Sequence, residues 1–79
     1  MPWILYLLEC KGGSFYAGIT NNLEARFQAH IEGCGAKYTR AYPPIKILAQ
    51  KVYLDRSEVS KAESQLKSLP KYKKLAFFE

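Results

Sequence analysis

The stretch that decides the fold is Trp3–Ile19, with the sequence WILYLLECKGGSFYAGI. Its first part, Trp3–Cys10, is a nearly unbroken apolar run of strand length. Such a run is typical of a strand buried on both faces, and therefore of the central strand of a sheet. Lys11-Gly12-Gly13 is a turn signal, and a second run, Ser14–Ile19, follows it directly. The stretch therefore predicts a β-hairpin whose first strand is central.

The length of the hairpin loop determines which side chains share a face. A three-residue loop would place Gly13 in the left-handed conformation and would pair Leu8 with Tyr16 and Tyr6 with Gly18. Cross-strand partners lie on one face, so Tyr6 and Tyr16 are expected on the same side of the sheet. Gly18, opposite Tyr6, is expected to leave a gap where a ligand could approach. A two-residue loop would instead separate the tyrosines onto opposite faces.

Further elements are predicted downstream of the hairpin. Asn21 is predicted to cap a helix, with Glu24 completing a capping box, and the helix ends near Glu32, before Gly33. A second helix begins after Asp55 and reaches about Ser68. The remaining predictions are a loop at Cys34–Pro44, a strand at Ile45–Tyr53 and a short helix from Pro70 to about Phe78. The order is β-β-α-β-α-α, an α+β fold in which residues 1–79 form one domain.

Composition limits the class of protein only broadly. The chain has 79 residues, 48% of them hydrophobic, and a net charge of +5, which suits a small domain with a polyanionic partner. The apolar N-terminus lacks a basic leader and a small-residue cleavage site, and it is too short to span a bilayer. We expect neither a signal peptide nor membrane association, and a cytoplasmic location. Cys10 and Cys34 are expected to be reduced thiols.

Two polar side chains border the apolar stripe predicted for the first helix. Leu23, Phe27 and Ile31 form that stripe, and Arg26 and His30 are an i,i+4 pair beside it. Polar groups that lean toward a sheet need partners there. Arg26 could extend its charge to solvent and His30 could be a satisfied core residue, or both could belong to a functional site.

An acidic residue lies within the apolar stripe of the later helix. That stripe comprises Val59, Ala62, Leu66 and Leu69, and Glu63 falls inside it. A carboxylate there is costly unless it meets a cation, a metal ion or several hydrogen-bond donors. A structural salt bridge, with Arg26 as the candidate partner, and a metal ligand are both consistent with this position.

Five polar residues occur in an order that resembles the GIY-YIG nuclease family. Leu5-Tyr6-Leu7 stands for the first motif of that family and Tyr16-Ala17-Gly18 for the second. Arg26, His30 and Glu63 then follow at suitable spacing, and the resemblance covers nearly the whole chain. It is closest to the small stand-alone branch, through the segment Gly35–Arg40. The resemblance implies a three-stranded antiparallel sheet flanked by helices, which agrees with the order of elements predicted above.

The resemblance also implies a hydrolase that cuts phosphodiester bonds with one divalent metal ion. Glu63 would hold Mg²⁺ or Mn²⁺, and Arg26 would neutralise charge on the scissile phosphate. Tyr16 would position or deprotonate the attacking water, and Tyr6 would hydrogen-bond that water or the Tyr16 hydroxyl. His30 would be a supporting acid, base or phosphate contact.

The expected partner is nucleic acid, DNA in particular, cut by a monomer in a repair or processing role. Lys37, Tyr38 and Arg40 are candidate nucleic-acid contacts, through phosphate pairing and base stacking, or else they belong to a solvated loop. The alternative function is a non-catalytic nucleic-acid-binding or interaction module that keeps the same fold.

Overall fold

The computed structural model describes residues 2–79. Its elements are β1 (Trp3–Cys10), β2 (Phe15–Thr20), α1 (Leu23–Ile31), α2 (Lys37–Ala41), β3 (Pro44–Tyr53), α3 (Arg56–Ser68), α4 (Lys71–Lys74) and a final 3₁₀ turn (Leu75–Phe78). A three-stranded antiparallel sheet is flanked by helices, so the predicted fold class and element order are confirmed. Within the described residues, no helix is both long and apolar enough to cross a membrane.

One segment predicted as a loop contains a helix. The short helix α2 lies inside the stretch that the sequence predicts as the loop Cys34–Pro44, and Pro44 itself begins β3. Helix α2 has a single buried side chain, Thr39, so it shows no apolar periodicity that a sequence pattern could reveal. It forms because its position over α1 gives Thr39 hydrogen-bond partners.

The hairpin has the predicted register. Strand β1 lies between β2 and β3, and it pairs Leu8 with Tyr16 and Tyr6 with Gly18. The amide of Gly13 donates a hydrogen bond of 2.9 Å to the carbonyl of Cys10, which closes the turn. Gly12 and Gly13 have φ values of 89° and 88°, so two left-handed residues make this turn, whereas the sequence predicted only one.

The central position of β1 explains why its sequence is apolar throughout. On one face, Leu5 and Leu7 pack with Val59, Ala62 and Leu66 of α3. On the other face, the cluster contains Tyr6, Leu8, Cys10 and Leu23. Two separate apolar layers therefore meet on one strand, and alternate residues of β1 serve each layer.

Helix α1 differs from its prediction at both ends. Asn22, not Asn21, is the cap, and its side chain accepts a hydrogen bond from the amide of Ala25 at 3.2 Å. Thr20 favours Asn22 as the cap, because the Thr20 hydroxyl accepts a hydrogen bond from the amide of Asn22. Glu24 is therefore displaced from the capping-box position and lies in the first turn.

The buried face of α1 also differs from the predicted stripe. His30 is fully buried, whereas Ile31, predicted to be apolar core, is 47% exposed. Leu23, Phe27 and His30 make up the inward face, which has the i, i+4, i+7 spacing of a helix. The helix turns His30 inward because hydrogen bonds satisfy both nitrogens of its ring.

Helix α3 follows its prediction closely. The Asp55 carboxylate accepts a hydrogen bond of 2.9 Å from the amide of Glu58, and Val59, Ala62 and Leu66 are buried. At its other end, the Lys74 ammonium donates to the carbonyl of Leu66 at 3.0 Å. This contact fastens the C-terminal helix α4 to the end of α3 and places Lys74 beside the open edge of β2.

Candidate active site

The buried half of the site is a tyrosine–histidine pair. The Tyr6 hydroxyl lies 2.9 Å from Nε2 of His30, and the two side chains are 1% and 0% exposed. The rings meet edge to face, with centroids 5.9 Å apart. This bond connects the central strand to α1, and His30 is a partner of Tyr6 that the sequence analysis did not name beside the attacking water and the Tyr16 hydroxyl.

The gap expected beside Gly18 is filled by protein. A Cβ atom on Gly18 would collide with the hydroxyl oxygen and the Cζ atom of Tyr6. The missing side chain therefore makes room for the Tyr6 hydroxyl itself, and the expectation of open space for a ligand at this point is wrong. Glycine is needed here for close packing inside the protein.

His30 also contacts α2 through its other ring nitrogen. Nδ1 lies 2.7 Å from the Thr39 hydroxyl, which is fully buried. A Cβ atom on Gly35 would collide with Nδ1, so the chain between α1 and α2 can cross this side of the ring only without a side chain. Both sides of the Tyr6–His30 pair are thus lined by a glycine.

The environment keeps Tyr6 protonated and His30 neutral near neutral pH. Burial raises the pKa of the Tyr6 hydroxyl above its ordinary value, and the nearby positive guanidinium of Arg26 opposes that effect. Tyr16, when ionised, and the carboxylate charge of Glu63 raise the pKa of Tyr6 further. Burial lowers the pKa of His30, and the charge of Arg26 lowers it again. Arg26, Tyr16 and Glu63 therefore all act on the Tyr6 hydroxyl, and Arg26 also acts on His30.

Tyr16 lies on the accessible side of this pair. Its ring centroid is 5.3 Å from that of His30, and both tyrosines lie on the same face of the sheet, as the register predicts. On its other side, Tyr16 stacks on Tyr38 of α2 with centroids 5.8 Å apart, and Tyr38 meets Tyr42 at 5.1 Å. A row of three tyrosine rings therefore runs outward from His30.

A cleft of about 260 Å³ opens beside Tyr16 at the free edge of β2. Because β2 is an edge strand, the cleft reaches side chains from both faces of the sheet. Its lining consists of aromatic and basic residues: Phe15, Tyr16, Ala17, Tyr38, Lys67 and Lys74. Two ammonium groups beside tyrosine rings suit a phosphate-bearing chain.

Glu63 meets a cation that the sequence analysis did not name. Its carboxylate lies 3.3 Å from the Lys67 ammonium, one turn along α3, and its side chain is 23% exposed. The salt bridge expected with Arg26 is therefore made with Lys67 instead. The i,i+4 spacing of Glu63 and Lys67 was the available signal for this pair.

The donor set around Glu63 fits a hydrated divalent ion. Mg²⁺ keeps several water ligands and uses one or two carboxylates together with substrate phosphates. Glu63 supplies one partly exposed carboxylate close enough for its charge to act on Tyr6. Over residues 2–79, no group of three or more His, Cys, Asp or Glu side chains gathers as a ligand cage.

The predicted nucleic-acid contacts lie together on α2. Lys37 and Arg40 are exposed, and Tyr38 is 37% exposed within the row of tyrosine rings. Sequence reasoning missed Thr39, which lies among them and faces inward. No pattern marked it, because its segment was predicted to be a loop.

Comparison with known proteins agrees with this arrangement. The family model for the GIY-YIG catalytic domain matches residues 2–76. The chain belongs to the GIY-YIG family. GIY-YIG domains are nuclease domains that act on nucleic acid and generally use divalent metal ions.

The GIY-YIG relatives include several proteins of the UPF0213 group. The UPF0213 protein XAC3202 of Xanthomonas axonopodis pv. citri is 59% identical over 78 residues, which are 99% of this chain and 76% of that protein. The UPF0213 protein H16_B0156 of Cupriavidus necator is 49% identical over 75 residues, 95% of this chain and 82% of that protein. The solution NMR structure of the UPF0213 protein BH0048 from Bacillus halodurans is similar, with a TM-score of 0.59 and 38% identity over 94% of this chain and 79% of that one.

Proposed function

We propose that this protein is a metal-dependent endonuclease that hydrolyses phosphodiester bonds in nucleic acid, DNA in particular, in a repair or processing role. The observation that supports it most is the contact of Tyr6, Tyr16 and His30 at the edge of a basic cleft. Binding alone does not require an accessible tyrosine, Tyr16, held against a histidine at the edge of a basic cleft. The charges of Arg26 and Glu63, which act on the Tyr6 hydroxyl, add the two groups that phosphate hydrolysis needs.

In this proposal, Tyr16 and the buried pair manage the attacking water. Tyr16 lines the cleft, and its proposed role is to orient or deprotonate a water molecule there. Behind it, Tyr6 is hydrogen-bonded to a neutral imidazole. A water molecule that reaches the Tyr6 hydroxyl would release its proton to Tyr6 as Tyr6 passes its own proton to Nε2 of His30. The proton count balances, with hydroxide attacking phosphorus and His30 ending as imidazolium.

Arg26 and Glu63 carry the electrostatic part of the reaction. The positive charge of Arg26 acts on the Tyr6 hydroxyl, and in this proposal the same guanidinium stabilises charge on the phosphoryl oxygens in the transition state. Glu63 would hold Mg²⁺ or Mn²⁺, an ion that polarises a phosphate and stabilises a leaving oxygen when bound. Lys67, released from Glu63, would then be free to contact a neighbouring phosphate.

Lys37, Tyr38 and Arg40 are proposed to bind the substrate strand next to the cleft. Two exposed basic side chains flank the outward end of the tyrosine row, which suits phosphates alternating with bases. The net charge of +5 on a monomer of this size gives a modest general attraction to DNA.

A cleavage assay tests this function. Labelled linear, flapped and branched DNA and single-stranded RNA are incubated with the protein, each with Mg²⁺, with Mn²⁺ and with chelator. We expect products that require the ion and disappear in a Glu63→Gln variant. Binding of these substrates without any cleavage would contradict the nuclease proposal and would support the alternative, a non-catalytic nucleic-acid-binding module.

A further inference from the structure

The Thr39 hydroxyl makes three close polar contacts, and together they determine where its hydrogen goes. Its oxygen lies 3.0 Å from the carbonyl oxygen of Ala36, 3.2 Å from the amide nitrogen of Ala36 and 2.7 Å from Nδ1 of His30. A hydroxyl has one hydrogen to donate and two lone pairs that accept. The carbonyl can only accept and the amide can only donate. With the hydrogen on the Ala36 carbonyl, which also accepts from the amide of Arg40 at 3.1 Å, the remaining lone pair of Thr39 faces His30.

These hydrogen-bond directions determine which nitrogen of the His30 ring carries the proton. Since Thr39 offers a lone pair, Nδ1 must carry the hydrogen of that bond. His30 is fully buried, and burial lowers its pKa, so the ring holds a single proton near neutral pH. Nε2 is then an acceptor, and the bond to Tyr6 runs from the hydroxyl to the imidazole. The hydrogen bonds point one way along the chain Tyr6, His30, Thr39 and the Ala36 carbonyl.

We infer that Thr39 is a positioning residue that holds His30 in the Nδ1–H tautomer, so that Nε2 remains free to accept a proton from Tyr6. The catalytic meaning of this inference rests on the proposed nuclease function. In the other tautomer, Nε2 would carry a hydrogen and could not receive one. Helix α2 presents Thr39 as its single buried side chain while its other residues are exposed, and Gly35 leaves room for the ring to approach.

The tautomer can be read directly by NMR, without any measurement of activity. His30 is the only histidine of the chain, so long-range ¹H–¹⁵N correlations of the imidazole need no further assignment. At pH 7.5 we expect a protonated Nδ1 and an unprotonated Nε2 in the wild-type protein. Thr39→Ser keeps the hydroxyl and should keep this pattern. Thr39→Val keeps the shape but removes the acceptor, so the Nε2–H form should appear.

The same role of Thr39 predicts how its substitution changes the rate of cleavage. Thr39→Val should lower kcat by about 10- to 100-fold with little change in KM, a part of what an acid–base group contributes. Thr39→Ser should restore kcat to within about threefold of wild type. The control is Ser68→Ala, because the Ser68 hydroxyl also donates to a backbone carbonyl, that of Gln65, but it lies at the end of α3 and does not touch His30. That variant should leave both the tautomer and kcat unchanged.

Several outcomes would overturn the inference. A wild-type His30 protonated at Nε2 would do so, and so would a Thr39→Val protein that keeps the Nδ1–H form. If Thr39→Val fails to fold, the wild-type spectrum and the Thr39→Ser variant still decide, since a mixed tautomer in either contradicts the role of the hydroxyl. A protein that shows the expected tautomer but cuts no substrate would refute the nuclease proposal and leave the assignment of His30 intact.

Discussion

Gly18 lies directly opposite Tyr6 in the β1–β2 pair, and the Tyr6 hydroxyl occupies the space that a side chain on Gly18 would need. Gly18→Ala should therefore displace Tyr6 and break its bond to His30. The expected cost is about 1–3 kcal/mol of unfolding free energy, typical of an overfilled core, together with loss of cleavage. Denaturant unfolding measures the first effect. In a Tyr6→Leu background the same substitution should cost less, because the atoms it meets are gone; an equal cost would contradict this explanation.

Tyr16→Phe tests whether the Tyr16 hydroxyl is needed for cleavage or whether the residue contributes only its ring to packing. The ring keeps its contacts with His30 and Tyr38, so the melting temperature should change little. If Tyr16 handles the attacking water, single-turnover cleavage should fall by about 10²–10⁴-fold. Tyr72→Phe is the matched control, since Tyr72 is 81% exposed and does not line the cleft, and it should be silent in both measurements. A Tyr16→Phe protein that cuts at the wild-type rate would move the role in water activation to Tyr6 and His30.

Glu63→Gln should remove cleavage with little loss of stability. Its pair with Lys67 is an i,i+4 pair with partly exposed partners, and such pairs contribute only about 0.3–0.5 kcal/mol. Addition of Mg²⁺ should perturb NMR signals around Glu63 in the wild type and not in the variant. DNA binding should persist or tighten, because a negative charge beside the phosphates is gone. Glu24→Gln, an exposed acid on α1, controls for net charge, and unchanged cleavage by Glu63→Gln would exclude Glu63 as the metal ligand.

The buried imidazole of His30 should make the unfolding free energy depend on pH. Because the pKa of His30 is lowered in the folded protein, the unfolded chain binds the extra proton first as pH falls below about 6.5. Unfolding free energy should therefore decrease from pH 7 toward pH 5. The groups that face the ring are Tyr6, Tyr16, Thr39 and the charge of Arg26.

The control is His30→Gln, whose unfolding free energy should have a shallower dependence on pH. Identical slopes in the two proteins would show that carboxylates alone cause the effect. Cleavage should also weaken at low pH, since imidazolium cannot accept the Tyr6 proton.

DNA binding should be weak and moderately sensitive to salt. Lys37→Ala and Arg40→Ala should each lower affinity and reduce the slope of log K against log salt by about 1. Lys51→Ala is the control, since Lys51 lies on β3 at the far edge of the sheet. Fluorescence anisotropy over a salt series measures all three. An equal effect of Lys51→Ala would mean that binding follows net charge and not the α2 surface.

The sequence predicted the hairpin well because its information is local. A three-residue loop rich in glycine determines the register of both strands, and the register alone places Tyr6 and Tyr16 on one face. The Asp55 cap and the buried stripe of α3 were predictable for the same reason, since both depend on neighbouring residues.

What the sequence did not reveal depends on contacts between distant segments. His30 turns inward only because Tyr6, 24 residues away, and Thr39, nine residues away, satisfy its nitrogens. Helix α2 could not be recognised without that contact. The cap of α1 moved by one residue because Thr20 bonds Asn22, a choice between two adjacent asparagines that composition does not decide.

The site has a buried half and an exposed half, and selection would act on them differently. Tyr6, His30 and Thr39 sit between two glycines, so replacing any of them disturbs the core whether or not the protein cuts nucleic acid. Tyr16, Arg26 and Glu63 are only partly buried, and substitutions there cost the fold much less. A lineage that lost its activity would retain the buried residues Tyr6, His30 and Thr39. It would accumulate substitutions at Tyr16, Arg26 and Glu63. In a newly sequenced relative, the exposed half is therefore the informative fingerprint of a working enzyme.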